Sequence, residues 1–568
     1  MERAKSVIRA GIHPEGLKLK QKIEGITVFA CLLLVGGFSC TKKEVPVSAT
    51  EIRMQITESV FSLDPHQVSS FRVQEQLGLV YDSLLAFNAD EKKGLGPNLV
   101  DSMPEVSADR KVYTFRLKPG IVFHDDPAFS ATQGRGRELT ADDVVFSFNR
   151  LLSEKTKSPF AFSLRLVVDD ESGVSWVKAV DRFTVQFRFK RESNEYLWWF
   201  AAPWTVIVPK EVVEFYGNEF THHPIGTGPY RLKVFQPLGQ IVWEKNPTFR
   251  ERLGPNKPDK ISVSTESDWN SLLVKIREKK IDWIQVPVER VSELLTATKE
   301  LTPLLQTEGL QVISGARSET VFEVIRWGAA SFQKVPGLRR AVCDAIDASQ
   351  LVNRFFENRF QVADSLVGPT SMLDFDHKTL GRKTDVAKSQ AFIQKLVDEN
   401  GTLPDLIYLS PSDDASKKWA QAVQAQLKVV GIGVKIKEVD RVDYLSEIDK
   451  GEGDLFHLSW RAEYPHPARL FEFLGSGTKP LEGNAGKYAN PLYDLLIEKL
   501  QRDNQVKNAP PVASVVGQLQ EILNSDCPLV PIYHPVEYGL VRTAIRGAGY
   551  QSFSHTGLRA LELGPQTR

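Results

Sequence analysis

Residues 103–124 read MPEVSADRKVYTFRLKPGIVFH, and residues 139–148 read LTADDVVFSF. In the first stretch, residues 112–117 alternate apolar and polar side chains, which is typical of a strand with one buried face. In the second, Thr140 stands before two acidic residues and an apolar run, the pattern of a helix N-terminus. We therefore expect a strand and then a capped helix in this part of the chain.

The rest of the chain repeats these two patterns. Alternation predicts strands at 183–189, 230–235, 241–243, 281–284 and 434–439, with 230–235 and 241–243 forming a hairpin. Helical spacing of apolar residues predicts helices at 268–280, begun by Asp268, and at 416–430, ended by Gly431. Helices followed closely by strands indicate an α/β fold with mixed sheets.

Composition excludes several classes of protein. The 568 residues are 42% hydrophobic and 25% charged, which is ordinary globular usage and enough chain for several domains. The 71 basic residues are balanced by 71 acidic ones. Because nucleic-acid binding needs a clustered surplus of Lys and Arg, we do not expect a nucleic-acid partner.

The first 39 residues differ from the rest in charge. They hold six basic and three acidic side chains, and an apolar run of fourteen residues follows at 26–39. Because about 20 apolar residues are needed to span a bilayer, we expect residues 1–39 to be a signal peptide. Cys40 follows directly and resembles the lipidated cysteine of bacterial lipoproteins, although Gly37 stands where a leucine is usual. Ordinary secretion with a chance cysteine is the alternative, and residues 40–50 are expected to be a polar tether.

Motifs that carry catalysis are missing from the sequence. It contains no G-x-S-x-G, H-E-x-x-H or C-x-x-C motif and no phosphate-binding loop. His222 and His223 are interpreted as an exposed loop, so no metal and no cofactor are expected, although an active site assembled from distant residues stays open. Cys343 and Cys527 are expected to be buried free thiols.

Several stretches occur in an order that resembles the family-5 extracellular solute-binding proteins, the oligopeptide and dipeptide receptors of ABC importers. Besides the two stretches quoted above, they are 62–67, 81–85, 226–230, 345–347, 459–465 and 488–491. Most of them are also explained as turns and caps, so they are interpreted as scaffold. The insertion at 125–137 is interpreted as a surface loop, with a lid or a partner contact as the alternative.

The resemblance implies a periplasmic-binding-protein-like fold of type II, with two lobes, mixed sheets, three domains and a ligand cleft between the lobes. Domain I would combine residues 51–87, 224–307 and 516–568. Domain II, smaller and variable, would occupy 88–223, and domain III would occupy 308–515.

The resemblance also implies the ligand-binding residues. Ser69, Phe71, Ser459 and Arg461 would bind a peptide through their main chains, as an added strand pairs with a sheet edge. Glu463 stands where relatives have an aspartate that meets the ligand's α-ammonium; a glutamate on a solvated loop is the alternative. The remaining two predicted residues, Trp460 and Tyr464, would line the cleft.

The implied function is that of an exported, monomeric receptor, periplasmic or at the cell surface and held to the membrane through Cys40. It would capture oligopeptides and deliver them to an ABC permease without catalysis. A non-peptide ligand such as a chelated metal, an oligosaccharide or an opine-like compound is one alternative, and a peptide hydrolase is another.

Overall fold

The computed structural model describes residues 50–88, 94–165, 167–168, 175–193, 195–296, 300–371, 375–480, 483–502 and 510–564. The expected signal peptide, Cys40 and nearly all of the expected tether lie outside these residues. Among the described helices, none is long and apolar enough to cross a bilayer.

Strands are numbered in chain order. They are β1 Glu51–Gln55, β2 Leu85–Phe87, β3 Leu95–Pro97, β4 Glu105–Val106, β5 Val112–Arg116, β6 Val177–Asp181, β7 Thr184–Arg188, β8 Tyr230–Phe235, β9 Gln240–Lys245, β10 Lys260–Ser264, β11 Trp283–Val286, β12 Leu310–Ala316, β13 Glu319–Ile325, β14 Gln361–Val362, β15 Leu406–Pro411, β16 Val434–Val439, β17 Leu455–Arg461, β18 Leu529–His534, β19 Val536–Arg542, β20 Ile545–Arg546 and β21 Glu562–Leu563.

Helices are numbered in the same way. They are α1 Phe71–Leu77, α2 Ala141–Leu152, α3 Ala161–Arg165, α4 Tyr196–Trp199, α5 Lys210–Tyr216, α6 Trp269–Arg277, α7 Val291–Leu294, α8 Pro303–Thr307, α9 Ala330–Lys334, α10 Leu338–Ala345, α11 Ala348–Phe356, α12 His377–Leu380, α13 Val386–Asn400, α14 Asp414–Val429, α15 Tyr444–Lys450, α16 Pro467–Phe471, α17 Pro491–Arg502 and α18 Pro510–Asp526.

Two large mixed sheets and a smaller antiparallel sheet organise these elements. The seven-stranded sheet has the order β12-β19-β11-β1-β10-β9-β8, and the six-stranded sheet has the order β14-β18-β13-β17-β15-β16. Parallel pairs join β1 to β10 and β11, and β15 to β16 and β17. The four-stranded sheet β4-β5-β7-β6 is antiparallel. The predicted α/β class with mixed sheets is therefore confirmed.

Most of the predicted elements lie close to their expected positions. Strand β16 has the predicted bounds, and β8 pairs with β9 as the predicted hairpin. Asp268 accepts a hydrogen bond from Ser271 N at 2.7 Å and so begins α6 as predicted. Thr140 and Asp143 form a capping box at the start of α2.

Two neighbouring connections join the large sheets. The chain leaves the seven-stranded sheet at β12 and enters the six-stranded sheet at β13, and it returns from β18 to β19. The connections lie side by side, because Arg317 N donates to Pro535 O at 2.9 Å. The expected limits of domain III, 308 and 515, do not coincide with these crossings.

Buried ion pairs account for two of the stretches interpreted as scaffold. Asp64 accepts a hydrogen bond from Arg150 at 2.9 Å. Asp82, fully buried, accepts hydrogen bonds from Arg250 at 2.8 Å and from Arg559 at 2.7 Å. At Gly226 a Cβ would lie 2.2 Å from the Val80 carbonyl oxygen, so this turn requires glycine. The scaffold interpretation is confirmed for these stretches.

The insertion at 125–137 is a surface loop anchored at several points. Arg137 binds both Asp143 and Glu211, and Tyr216 donates to Asp126 at 3.1 Å. The ring of Phe129 is buried. These contacts fasten the loop to α2 and α5.

The expectation of free thiols is wrong. Cys343, on α10, and Cys527, directly after α18, form a disulfide whose Cα atoms lie 6.2 Å apart. The two cysteines are far apart in sequence, and only the packing of the α/β layers brings them within bonding distance. The bond ties α10 to the segment that leads into β18.

Candidate functional site

A cavity of about 500 Å³ lies between two parts of the chain that are distant in sequence. One wall comes from residues 160–204, around α3 and α4, and the other from residues 460–501, between β17 and α17. Its aromatic lining consists of Phe160, Tyr196, Trp199, Trp204, Trp460, Tyr464 and Phe473. Its other lining residues are mostly polar or charged, so the cavity combines aromatic faces with hydrogen-bonding groups, as ligand sites commonly do.

Strand β17 has one edge that is only partly paired. It pairs with β13 over its whole length, but with β15 only at Leu455 and Phe456. Ala462 N donates to Ser318 O at 2.8 Å, so even-numbered residues direct their main chains towards β13. The odd-numbered residues face the other way, where the Tyr444 hydroxyl occupies both main-chain groups of His457.

By the same alternation, the main-chain groups of Ser459 and Arg461 face the edge that no described strand covers. Ser459 is exposed. Trp460, between them, directs its side chain to the cavity wall, where it stacks on Phe473 at 4.8 Å between ring centroids. A free strand edge therefore runs beside the cavity.

The Arg461 side chain connects this edge to the start of α1. Its guanidinium Cζ lies 4.2 Å from the centre of the Phe71 ring. Burial, with the neighbouring charge of Arg317, lowers the pKa of Arg461 to about 10, so the group is protonated at neutral pH. Ser69 is exposed, and Phe71 is the first residue of α1. Because the carbonyl of a first helical residue bonds within the helix, only the N–H of Phe71 is free to bind a ligand.

Glu463 lies in the bend between β17 and α16, with about a third (33%) of its side chain exposed. Its carboxylate forms an ion pair with Arg469, whose Nη2 lies 2.9 Å from Oε1, and Arg469 also binds Glu472. The Arg469 guanidinium lies over the Trp460 ring, 4.6 Å from its centre. Burial opposes ionisation of Glu463, but the charge of Arg469 outweighs it and lowers the pKa of Glu463. The carboxylate expected to meet a ligand ammonium already has a cationic partner.

Glu195 lies on the opposite wall. Its Oε2 accepts a hydrogen bond from the Tyr464 hydroxyl at 2.8 Å, so this contact joins the two walls. Burial raises the pKa of Glu195. Burial, together with the nearby charge of Glu195, raises the pKa of Glu472 to about 7, although Arg469 opposes the rise. Gln501 donates a hydrogen bond to Glu472 at 3.1 Å. The cavity therefore contains carboxylates that are only partly compensated.

The structure brings together three of the predicted residues, Trp460, Glu463 and Tyr464, in the cavity wall. Phe71 and Arg461 contact each other at the end of β17, and Ser69 and Ser459 are exposed. Sequence reasoning missed Glu195, Arg469 and Glu472. The aromatic run at 196–204 and the basic and acidic pair three residues apart at 469 and 472 were signals that could have pointed to them.

Among the described residues, no group of three or more His, Cys, Asp or Glu is arranged to hold a metal ion. The His222 ring lies 3.2 Å from a Glu219 oxygen, and the His223 ring stacks on Tyr216. Both histidines therefore contact residues close to them in sequence.

A model of a known family, the bacterial extracellular solute-binding proteins, family 5 Middle, matches residues 94–481. The dipeptide-binding protein of Escherichia coli K12 is 26% identical over 490 residues, which cover 82% of this chain and 86% of that protein.

Two solved structures have a similar fold. The DppA protein of Helicobacter pylori, in complex with the peptide STSA, has a TM-score of 0.71 at 21% identity and covers 90% of this chain and 98% of its own. AgaA of A. tumefaciens R10, in complex with agropinic acid, has a TM-score of 0.69 at 19% identity, with coverage of 90% and 98%. This fold thus accompanies both peptide and non-peptide ligands in other proteins.

Proposed function

Because the chain belongs to the bacterial extracellular solute-binding proteins of family 5, we propose that it is the receptor of an ABC importer that captures oligopeptides and delivers them to a membrane permease. The observation that carries the proposal is the free edge of β17 beside the cavity. Main-chain bonds along such an edge hold a peptide of any sequence, and an adjoining cavity receives its side chains. No bond is broken in this function.

In this proposal the predicted residues take distinct parts. Ser459 and Arg461 bond the peptide main chain from β17, while Ser69 and the N–H of Phe71 bind it from the opposite side. Trp460 and Tyr464 form the cavity wall. Glu463 would meet the α-ammonium only by sharing its carboxylate with Arg469.

Closure of two lobes would enclose the peptide. The side-by-side connections β12–β13 and β18–β19 support this, because short paired crossings are suited to act as a hinge. A permease would then distinguish the closed, loaded receptor from the open, empty one. The three domains of this proposal are those expected from the sequence: domain I at 51–87, 224–307 and 516–568, domain II at 88–223 and domain III at 308–515. A hinge at these crossings would move β12 to domain I and β18 to domain III.

A non-peptide ligand is the second candidate. The ion pair between Glu463 and Arg469 favours it, because no free carboxylate is then reserved for a peptide α-ammonium at this position. The agropinic acid complex of AgaA is an example of such a ligand on this fold.

Native mass spectrometry of the protein, purified without denaturation, tests the proposal. We expect a set of co-purified masses that tandem spectrometry identifies as short peptides. A single sugar or opine-like mass would support the second candidate instead. Steady cleavage of a labelled peptide pool by rigorously purified protein would support a hydrolase.

The part played by Glu463 has its own test. If its carboxylate meets the α-ammonium, Glu463→Gln should weaken binding of a free peptide by about tenfold and leave its N-acetylated form nearly unchanged. Isothermal titration calorimetry of both peptides measures this. Equal effects on the two peptides would assign Glu463 to the support of Arg469 alone.

We also propose export and attachment to the membrane through Cys40. The support is the sequence around Cys40, which lies outside the described residues, and the extracellular nature of the family. Cys40→Ser should move the protein from the membrane fraction to the soluble fraction of cells. A variant that stays with the membrane would contradict lipidation of Cys40.

A further inference from the structure

The ionisable side chains that line the cavity are mostly acidic. Its carboxylates are Glu192, Glu195, Glu463, Glu472, Asp494 and Glu498, whereas its guanidinium groups are those of Arg191 and Arg469. Arg469 is shared between Glu463 and Glu472, so one positive charge serves two negative ones. A cavity with such an excess of carboxyl groups favours a cationic group, whose charge would also favour the ionised forms of Glu195 and Glu472.

Glu195 lacks a partner for one of its oxygens. The residue is only 4% exposed, and its Oε1 accepts no hydrogen bond of regular geometry from any described residue. The charges of Arg469 and Arg191 and the side chain of Gln501 lie close enough to oppose the effect of burial on the pKa of Glu195, but burial outweighs them. The nearest basic group with a defined contact, Nδ1 of His466, is 4.0 Å away, and burial lowers the pKa of that histidine to about 4, so the ring is neutral. A buried carboxylate oxygen without a donor is costly, and a ligand N–H would remove that cost.

The aromatic lining suits the same kind of group. An ammonium or guanidinium over an aromatic face is attracted by the ring electrons. Arg469 already adopts this arrangement over Trp460. Trp199 and Trp204 also line the cavity, and their buried indole N–H groups have no acceptor among the described residues; water or a ligand carbonyl would supply one.

The volume of about 500 Å³ lies within the range of small-molecule sites, about 300–1,000 Å³. The cavity adjoins β17 at Trp460, so a side chain that projects from a peptide on the β17 edge can reach it. Lysine and arginine both carry their charge at the end of a long side chain.

We propose that this cavity is a subsite for the cationic side chain of a lysine or arginine in the bound peptide, which donates to Glu195 Oε1 and lies beside Glu472. The inference rests on the proposed peptide-binding function. It gives the receptor a preference for basic peptides, in addition to main-chain binding that does not depend on sequence.

Calorimetric titration of the full-length protein with four peptides tests the subsite: Ala-Lys-Ala, Ala-Arg-Ala, Ala-Leu-Ala and Ala-Glu-Ala. We expect the two basic peptides to bind at least about tenfold more tightly than Ala-Leu-Ala, and Ala-Glu-Ala to bind most weakly. In Glu195→Gln, which keeps the size of the side chain, the ratio of the affinity for Ala-Lys-Ala to the affinity for Ala-Leu-Ala should fall by about tenfold.

Glu399→Gln is the matched control, because it removes one negative charge from an exposed position on α13. It should leave all four affinities unchanged. Thermal unfolding of each variant shows that the fold is kept.

Three results would overturn the inference, and they separate it from the proposed function. Equal binding of all four peptides removes the subsite and leaves the peptide receptor intact. A basic preference that survives Glu195→Gln removes the assigned contact. Failure of every peptide to bind overturns the proposed function and the subsite together.

Discussion

Asp82 is the centre of a buried hydrogen-bonded ion cluster. Its carboxylate is fully buried and binds Arg250, Arg559 and the Thr227 hydroxyl. Asp82→Asn would leave two partly buried guanidinium groups without their buried counter-charge, so we expect the free energy of unfolding to fall by about 3 kcal/mol. Urea denaturation at pH 7 measures this, with the exposed Asp101→Asn as control.

The same residue predicts a pH dependence. Burial opposes its ionisation, but Arg559 and Arg250 outweigh burial and hold the pKa of Asp82 far below its usual value of 3.8. A carboxyl whose pKa is lower in the folded state stabilises the fold above its unfolded pKa and loses that effect in acid. Below about pH 4 the difference between wild type and Asp82→Asn should therefore shrink. A difference that stays constant down to pH 2 would contradict this account.

Glu472 gives folding stability the opposite dependence on pH near neutrality. Its pKa is raised to about 7 from the ordinary 4.5, first by burial and then by Glu195, while Arg469 opposes the rise and Glu463 adds to it. Between these two values the folded protein binds more protons than the unfolded chain, so its stability falls as the pH rises from 5 to 8. We expect Glu472→Gln to reduce the loss of unfolding free energy between pH 5 and pH 8 by an amount on the order of 2 kcal/mol. Thermal unfolding of both proteins across that range measures it, and parallel profiles would contradict the assignment.

At the scale of elements, the alternation along β17 gives a paired test. Ser459→Pro removes an N–H that faces the free edge, so it should weaken peptide binding by about tenfold with little loss of stability. Leu458→Pro removes an N–H that faces β13 and should instead destabilise the sheet, by about 3 kcal/mol. Calorimetric binding and urea denaturation of both variants separate the two effects. If both variants lose stability equally, the assignment of β17 main-chain directions is wrong.

Elements with strong local patterns were predictable from the sequence. The alternating Val434–Val439 became β16 with the same bounds, and Asp268 begins its helix through a bond to the backbone three residues later. Both features depend only on residues close in sequence. The family resemblance, in contrast, predicted the type of fold and pointed to the segment around Trp460 as part of the site.

Contacts between distant segments were not predictable in this way. The disulfide between Cys343 and Cys527 depends on how α10 packs beside the end of α18. Even the nearby pair of Glu463 and Arg469 depends on tertiary packing, because the guanidinium also lies over the Trp460 ring. Glu195 lies more than 250 residues before Tyr464 in the sequence, so no local sequence pattern predicts that the two residues meet.

At the scale of the whole molecule, Tyr464 joins the two walls of the cavity. It follows β17, yet its ring packs in the hydrophobic core of the opposite wall, among residues such as Tyr196 and Trp199. Its hydroxyl donates to Glu195 at 2.8 Å. Opening of the cleft must therefore break this bond and withdraw a buried ring, so the contact favours the closed form.

Tyr464→Phe keeps the ring and removes only the hydroxyl. Loss of one hydrogen bond to a buried carboxylate corresponds to about 1–3 kcal/mol, so the closed form should be less populated and peptide affinity should fall by about tenfold or more. Small-angle X-ray scattering should show that peptide reduces the radius of gyration of the wild type, and that the variant needs a higher peptide concentration for the same reduction. Tyr216→Phe, which removes a hydroxyl bonded to Asp126 away from the cavity, should behave as wild type. If Tyr464→Phe closes at the same peptide concentration as the wild type, the hydroxyl does not contribute to closure and the walls are held together by ring packing alone.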